Sequence, residues 1–199
     1  MQPGQLFYLM GASGVGKDSL LDYLRAHLPV DARVLLARRY ITRPAGVDGE
    51  NHIAITPEAF RERQARGAFA MHWRSHGFEY GIDRRIDDDL SAGWQVVVNG
   101  SRHYLESARR RYPTLQPILV SVSHDQLFER LVKRGREGPE DIERRLQRAE
   151  TLDAQLADQS LYRLRNDGPL EVAGNQLLEM IMGVGSEART SPRAAAASG

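Results

Sequence analysis

Residues 6–19 read LFYLMGASGVGKDS, and this stretch decides the fold of the 199-residue chain. Its first five residues are apolar and predict a buried strand, whereas residues 19–28 have the apolar spacing of a helix. The glycines between them allow a tight turn whose N–H groups point inward, beside the positive end of the helix dipole. A strand, such a loop and a helix in this order form a P-loop, so we predict that the chain binds a nucleoside triphosphate.

The loop supplies nine consecutive candidate ligands for ATP. Lys17 is also a candidate catalytic residue, because its ammonium can reach the β and γ phosphates. Of the 27 basic residues only Lys17 and Lys133 are lysine, so a chain that otherwise uses arginine has its compact cation where a P-loop needs one. The alternative is a glycine turn without a ligand, which the surrounding strand and helix disfavour. The nine candidates are Gly11, Ala12, Ser13, Gly14, Val15, Gly16, Lys17, Asp18 and Ser19.

The residue after the lysine departs from the usual motif, which places Ser or Thr there to hold Mg²⁺. Here Asp18 occupies that position and the hydroxyl comes one residue later, at Ser19. Either the Asp18 carboxylate binds Mg²⁺ directly or through water, or it complements the helix dipole while Ser19 binds the metal. Adjacent helical residues point about 100° apart, so we expect only one of them to bind directly. Both remain candidate metal ligands.

Composition narrows the class of protein. The length suits one α/β domain with a full core, and the net charge of +1 gives no basic field of the kind that binds nucleic acid. There is no cysteine, which excludes disulfides and thiolate metal sites. We see neither an apolar run of about 20 residues nor a signal-peptide pattern. These features predict a cytoplasmic enzyme without a nucleic-acid or membrane partner.

Strand and helix patterns alternate along the chain, which predicts a mostly parallel sheet flanked by helices. We expect a single P-loop domain over residues 1–185 and a disordered tail over 186–199. Val34 to Tyr40 is predicted as one strand, and Asp83 as the cap of a helix that ends at Gly93. Phe69–Trp73 and Phe78–Ile82 predict a hairpin within an inserted acceptor-binding subdomain of about residues 38–82.

Arginines form two groups that could clamp phosphates, since a guanidinium binds phosphate oxygens in bidentate fashion and stays charged. The first group follows the second strand, and the second surrounds a glycine-interrupted stretch that we interpret as a helical lid over about residues 130–150. We expect Arg144 and Arg148 to share a solvated helix face, with nearby carboxylates as partners. The first group is Arg38, Arg39 and Arg43; the second is Arg130, Arg134, Arg136, Arg144 and Arg145.

These motifs together resemble the guanylate kinase family of P-loop nucleotide kinases, over roughly residues 5–182. The matching pieces are the loop at 11–17, Ile41-Thr42-Arg43, Gly77 with Tyr80-Gly81, Asn99-Gly100-Ser101, and Arg134-Gly135 followed by Ile142 and Arg145-Leu146. The resemblance implies a P-loop nucleotide-kinase fold. It also implies that Arg43 and Tyr80 hold the acceptor phosphate, and that Arg134 and Arg145 are catalytic lid residues that contact the triphosphate.

Departures from the family indicate a different acceptor. Two positions that recognise guanine in that family are occupied here by the apolar residues Met71 and Ile82. Three other family residues are also replaced: a serine that helps hold the base by Arg39, a phosphate-binding tyrosine by His52, and an aspartate by Val97. Unmet hydrogen-bonding groups on guanine would each cost about 1–3 kcal/mol, which makes guanine a poor acceptor.

With these departures, the chain resembles the ribose 1,5-bisphosphate phosphokinase family. The motifs that carry this resemblance are GKDS at residues 16–19, the stretch from Trp73 to Tyr80-Gly81, and VNGSR at residues 98–102. That resemblance implies Mg²⁺-dependent transfer of the γ phosphate of ATP to ribose 1,5-bisphosphate, a phosphorylated sugar, to form 5-phosphoribosyl 1-diphosphate. It makes Arg39, Arg43, Tyr80 and Arg102 the candidate acceptor-binding residues. Two alternatives stay open: a nucleoside monophosphate kinase, and a catalytically silent module that binds proteins.

Overall fold

The computed structural model describes residues 3–44, 51–135, 138–157 and 159–183. In these residues we number nine strands and seven helices, with a short 3₁₀ helix at Arg102–Tyr104. The strands are β1 Leu6–Met10, β2 Val34–Ala37, β3 Arg39–Ile41, β4 Ile53–Ala54, β5 Phe69–Ser75, β6 Phe78–Asp83, β7 Gln95–Asn99, β8 Gln116–Ser121 and β9 Tyr162–Arg165. The helices are α1 Lys17–His27, α2 Pro57–Ala65, α3 Ile86–Ser91, α4 Leu105–Arg111, α5 His124–Arg134, α6 Pro139–Ala154 and α7 Leu170–Met182.

The main sheet has five parallel strands in the order β2-β7-β1-β8-β9. All five residues of β1 are buried, as expected of a central strand that is covered on both faces. The glycine-rich loop leaves the carboxyl end of β1 and leads into α1. A parallel sheet flanked by helices confirms the predicted α/β class, and it places the loop at the edge of the sheet where ligands bind.

A second sheet, in the order β4-β3-β6-β5, lies beside the first. The predicted hairpin is confirmed: β5 and β6 are antiparallel, with Trp73 opposite Tyr80, and His76 and Gly77 have positive φ at the turn. These four strands fall within residues 39–83. Their range is close to that predicted for the acceptor-binding insertion, whose boundaries, like those of the lid, remain predictions.

The prediction of one strand from Val34 to Tyr40 is wrong. After Ala37, which pairs with Val98 of the main sheet, the chain passes into the second sheet, where Arg39 lies opposite Ile82. Apolar periodicity reports that a segment is extended, but it carries no information on which strand lies next to it.

Two helices are capped by a hydroxyl at their N-terminus. The Thr56 hydroxyl accepts a bond from Ala59 N (3.2 Å) at α2, and the Ser123 hydroxyl accepts one from Gln126 N (3.4 Å) at α5. Asp83 is not the cap of α3, because it ends β6 and accepts instead from the N–H of Arg85. The predicted tail, 186–199, lies outside the described residues. No helix in the described ranges is both long and apolar enough to cross a bilayer.

Candidate active site

One cavity of about 780 Å³ extends from the glycine-rich loop to the second sheet and α6. This is within the size range of small-molecule sites. It brings together eight of the nine predicted loop ligands, since Val15 is buried beneath the loop and packs in the core. The predicted acceptor-binding residues line it as well: Arg39, Arg43, Tyr80 and Arg102.

Backbone geometry makes the loop a cradle for an anion. Gly14 and Gly16 have φ of 100° and 93°, which L side chains rarely adopt. Gly16 is the N-cap of α1 and supplies no side-chain cap, so the N–H groups of the first turn remain available to a ligand. The ammonium of Lys17 lies over the loop and donates to the carbonyls of Gly11 and Ala12, both at 2.9 Å. The elements of a phosphate site are therefore in place.

Two residues donate hydrogen bonds to the backbone of the glycine-rich loop, a role that we did not predict for either of them. Asn166 is buried and donates from Nδ2 to the carbonyl of Val15 at 2.8 Å. Arg130 on α5 donates to the same carbonyl at 3.2 Å and to the Asn166 carbonyl at 2.7 Å. Arg130 thus has a structural contact with the loop, in addition to its predicted place in the second arginine group.

The other end of the cavity is an arginine pocket, which we define as Arg39, Arg43, Phe78 and Tyr80. Arg39 is only 14% exposed, lies over the ring of Tyr80 (5.7 Å to the centroid) and has its Nη2 3.7 Å from Oδ1 of Asp18. Arg43 lies over the ring of Phe78 at 5.8 Å. Burial lowers the pKa of Arg39, and the Asp18 carboxylate opposes this shift. A buried guanidinium of this kind favours an anionic ligand.

Aromatic rings form the wall beside this pocket. Trp73 and Tyr80 stack almost in parallel, with centroids 5.5 Å apart and planes 4° apart. Met71 and Ile82, at the positions that read guanine in the resembling family, are fully buried in the core beneath them. Neither side chain lines the cavity, so these two positions offer nothing to a base.

His52 contacts the backbone of the arginine pocket. It is 6% exposed, and its Nε2 lies 3.2 Å from the Arg43 carbonyl, while Arg38 donates to the carbonyl of His52 at 3.3 Å. Burial, with the nearby charges of Arg43, Arg39 and Arg38, lowers the pKa of His52, although its bond to the Arg43 carbonyl opposes this. A neutral His52 can donate to that carbonyl and so hold the Arg43 backbone.

We expect His52 to make the stability of the protein depend on pH. Its pKa is lower when folded than the unfolded value of about 6.5, so between the two the unfolded chain binds more protons. The contribution to stability is complete above pH 6.5 and is lost as the pH falls through the folded pKa. Urea unfolding at pH 7.5, 6.5 and 5.5 should show the advantage of wild type over His52→Gln shrinking as pH falls. The exposed His72 provides the control, His72→Gln, and a constant advantage would contradict the prediction.

The third side of the cavity starts with a turn at Gly100-Ser101. The buried Tyr8 hydroxyl donates to the Ser101 carbonyl (3.0 Å) and accepts from Ser101 N (2.9 Å), which fixes this turn. Next to it, Arg102 is 10% exposed and donates to Asp153 Oδ1 at 2.6 Å and to the Ala149 carbonyl at 3.2 Å, both on α6. The predicted acceptor contact of Arg102 remains a prediction, to which the structure adds a link between the main sheet and α6.

Three arginines of α6 face the same cavity. Arg144, Arg145 and Arg148 all line it, and Arg144 pairs with Asp141 at 2.5 Å. As predicted, Arg144 and Arg148 are both exposed, and Arg144 has a carboxylate partner. The structure adds that both side chains border the open cavity, which helical spacing alone does not reveal. Arg134 is the last residue of α5, and its side chain lies outside the described residues.

Asn99, which belongs to the matching motif Asn99-Gly100-Ser101, is a site residue to which we assigned no role. It ends β7, is 4% exposed and donates from Nδ2 to Oδ1 of Asp18 at 3.0 Å. The available signal was a polar residue that ends an apolar strand run, at the carboxyl edge of the sheet.

Loop, sheet and cavity define the class of protein. A family model described as an AAA domain matches residues 8–153. A guanylate kinase from Anaplasma phagocytophilum has a similar structure, with a TM-score of 0.68 over 94% of this chain and 89% of that one, at 16% identity. This likeness shows the fold, and the chain has the P-loop nucleotide-kinase fold.

Curated relatives place the chain more narrowly. The ribose 1,5-bisphosphate phosphokinase PhnN of Thiobacillus denitrificans is 49% identical over 98% of this chain and 99% of its own length. The protein of the same name from Pectobacterium atrosepticum is 52% identical over 84% of this chain and 88% of its own. The chain therefore belongs to the ribose 1,5-bisphosphate phosphokinase family, and it is a phosphotransferase.

Proposed function

We propose that the protein transfers the γ phosphate of ATP to the 1-phosphate of ribose 1,5-bisphosphate, giving 5-phosphoribosyl 1-diphosphate and ADP. The observation that carries the proposal is a single cavity that joins a phosphate cradle to an arginine pocket, while Met71 and Ile82 are buried away from it. The names of its curated relatives support the same acceptor. ATP as the donor makes the cytoplasm the compartment in which we expect the enzyme to act.

The reaction needs an in-line arrangement and neutralisation of charge more than it needs a basic side chain. An oxygen of the 1-phosphate is already a nucleophile and attacks the γ phosphorus. The new P–O bond forms as the bond from the γ phosphorus to the β–γ bridging oxygen breaks, and ADP leaves with that electron pair. We propose that Lys17 neutralises the β and γ phosphates.

Mg²⁺ fits the donor end of the cavity. Asp18 and Ser19 both line it, and carboxylate and hydroxyl oxygens are the hard ligands that this ion prefers. No cluster of three acidic or histidine side chains occurs in the described part of the chain, so the phosphates and water would supply most of the coordination. When bound, the ion would neutralise charge on the β and γ phosphates. We propose the Ser19 hydroxyl as its protein ligand, since one oxygen of Asp18 already accepts from Asn99.

Acceptor binding is assigned to the arginine pocket. We propose that Arg39 and Arg43 hold one phosphate of the sugar in bidentate fashion and that Tyr80 donates to it from its hydroxyl. Arg102, on the far side of the cavity, is proposed for the second phosphate. Arg145 and Arg134 are proposed to cover the transferring group as α6 closes, where they would exclude water and stabilise charge.

A coupled assay of ADP release tests the function against its main alternative, a nucleoside monophosphate kinase. With saturating MgATP, we expect kcat/KM for ribose 1,5-bisphosphate to exceed that for GMP or AMP by about 100-fold or more, because Met71 and Ile82 present no hydrogen-bonding group to a base. Phosphorus NMR should identify a diphosphate at C1 of the product. Efficient turnover of GMP would defeat the proposal. No turnover with any acceptor would favour the silent module, which the intact loop and Lys17 argue against.

A further inference from the structure

We propose that Asp18 is a positioning residue of the acceptor site, which holds Arg39 from the donor helix instead of serving as a metal ligand. This inference rests on the proposed function and concerns how its two half-sites are joined. It is carried by three neighbouring side chains: Asp18 on α1, Arg39 on β3 and Asn99 on β7.

The first step is the ion pair itself. The Arg39 side chain is only 14% exposed, so its positive charge is largely removed from water. The half-exposed Asp18 lies next to it, with its Oδ1 3.7 Å from Nη2 of Arg39. A charge that is removed from water needs an opposite charge or strong hydrogen bonds nearby. Asp18 supplies that opposite charge.

The second step is the way in which Asp18 is held. A carboxylate can only accept, so the Asn99 side chain must present its NH₂ group to Asp18, as it does at 3.0 Å. The other end of the amide, Oδ1, is buried and has no hydrogen-bond partner among the described residues. An unpaired buried carbonyl is unfavourable, and turning the amide round would sacrifice the bond to Asp18. The observed orientation of Asn99 therefore holds the Asp18 carboxylate in place and leaves Oδ1 of Asn99 without a hydrogen bond among the described residues.

The third step relates two departures in the sequence. The usual P-loop hydroxyl is replaced by Asp18, and the serine of the resembling family is replaced by Arg39. A carboxylate in the first turn of α1 suits the helix dipole, and it reaches the new arginine across the cavity. The two changes thus compensate each other: an arginine for the acceptor phosphate is introduced together with the carboxylate that holds it.

A double-mutant cycle with Asp18→Ala and Arg39→Ala tests the inference on the full-length protein. We expect Asp18→Ala to raise the KM for ribose 1,5-bisphosphate about 10-fold, with little change in the Kd of MgATP or in the Mg²⁺ concentration for half-maximal rate. In the Arg39→Ala background the same change should have an effect of less than about 2-fold, because its target is already absent. Calorimetric titration with MgATP supplies a readout that does not depend on turnover.

Two further variants separate positioning from metal binding. Asp18→Ser restores the residue type that P-loops use for Mg²⁺, yet we expect it to bind the acceptor as poorly as Asp18→Ala does. Asp22→Ala removes another carboxylate of α1, 63% exposed and paired with Arg25, and should behave as wild type. Additive effects in the cycle, or a raised Mg²⁺ requirement in Asp18→Ala that Asp18→Ser repairs, would overturn the inference and leave the proposed function intact. Failure of wild type to use ribose 1,5-bisphosphate would overturn both.

Discussion

Replacing Lys17 with alanine is expected to lower kcat by about 10³-fold, the largest of the effects that we predict. The ammonium lies within the loop, bonded to the carbonyls of Gly11 and Ala12 at 2.9 Å, and so is already placed where phosphate oxygens would arrive. Charge on those oxygens grows toward the leaving group as the γ phosphoryl group departs. The loss should therefore appear in kcat more than in the affinity for MgATP.

The chain offers a matched control, because Lys133 is its only other lysine and is exposed on α5. Lys133→Ala should retain wild-type kcat. Steady-state kinetics of ADP release, with calorimetry for MgATP, would separate the two effects. A Lys17→Ala enzyme with near wild-type kcat would remove the basis for assigning the loop to phosphoryl transfer.

The second large effect is expected at Arg39. Arg39→Ala should raise the KM for ribose 1,5-bisphosphate by about 100-fold, with a smaller change in kcat. The reason is that the phosphate loses a guanidinium partner in a mostly buried pocket, where a charge-assisted hydrogen bond is strong. Arg39→Lys keeps the charge but loses the planar fork, so its KM should lie between those of wild type and Arg39→Ala.

Arg61→Ala is the control for loss of a guanidinium, since Arg61 is 65% exposed on α2 and pairs with Glu58. Thermal unfolding of each variant checks that Arg39→Ala folds, because Arg39 also packs over Tyr80. If acceptor KM stays unchanged while Arg39→Ala is folded, Arg39 does not hold the acceptor and the arginine pocket must be assigned to another purpose.

Local chemistry accounts for what could be predicted. Gly14 and Gly16 have no side chain to strain at positive φ, and five apolar residues before them could only be a buried strand. The hairpin at 69–83 follows from two β-rich runs around a turn at His76-Gly77. Each of these signals lies within a short window, so no knowledge of distant residues was required.

Predictions failed where the answer depended on residues far away in the chain. Nothing in the run from Val34 to Tyr40 indicates that it changes sheets, because the neighbours that decide this lie at 98 and 82. The spacing of Arg144 and Arg148 predicts a shared face correctly, but the cavity opposite that face is formed by other elements. The same holds for Asn99, whose amide meets a carboxylate 81 positions away.

By itself, the sequence determined the phosphate loop, the alternation of strands and helices, and the absence of base-reading groups at Met71 and Ile82, because each depends on residue type and near neighbours. Only the tertiary structure decided that Asp18, Arg39 and Asn99 meet, and that Arg102 pairs with Asp153 on α6. Contacts of this kind form when parallel strands bring their carboxyl ends to one edge, so separations of 21 to 81 positions along the chain become distances of 2.6 to 3.7 Å. The packing of strands and helices sets those distances, and the spacing of the residues along the chain does not.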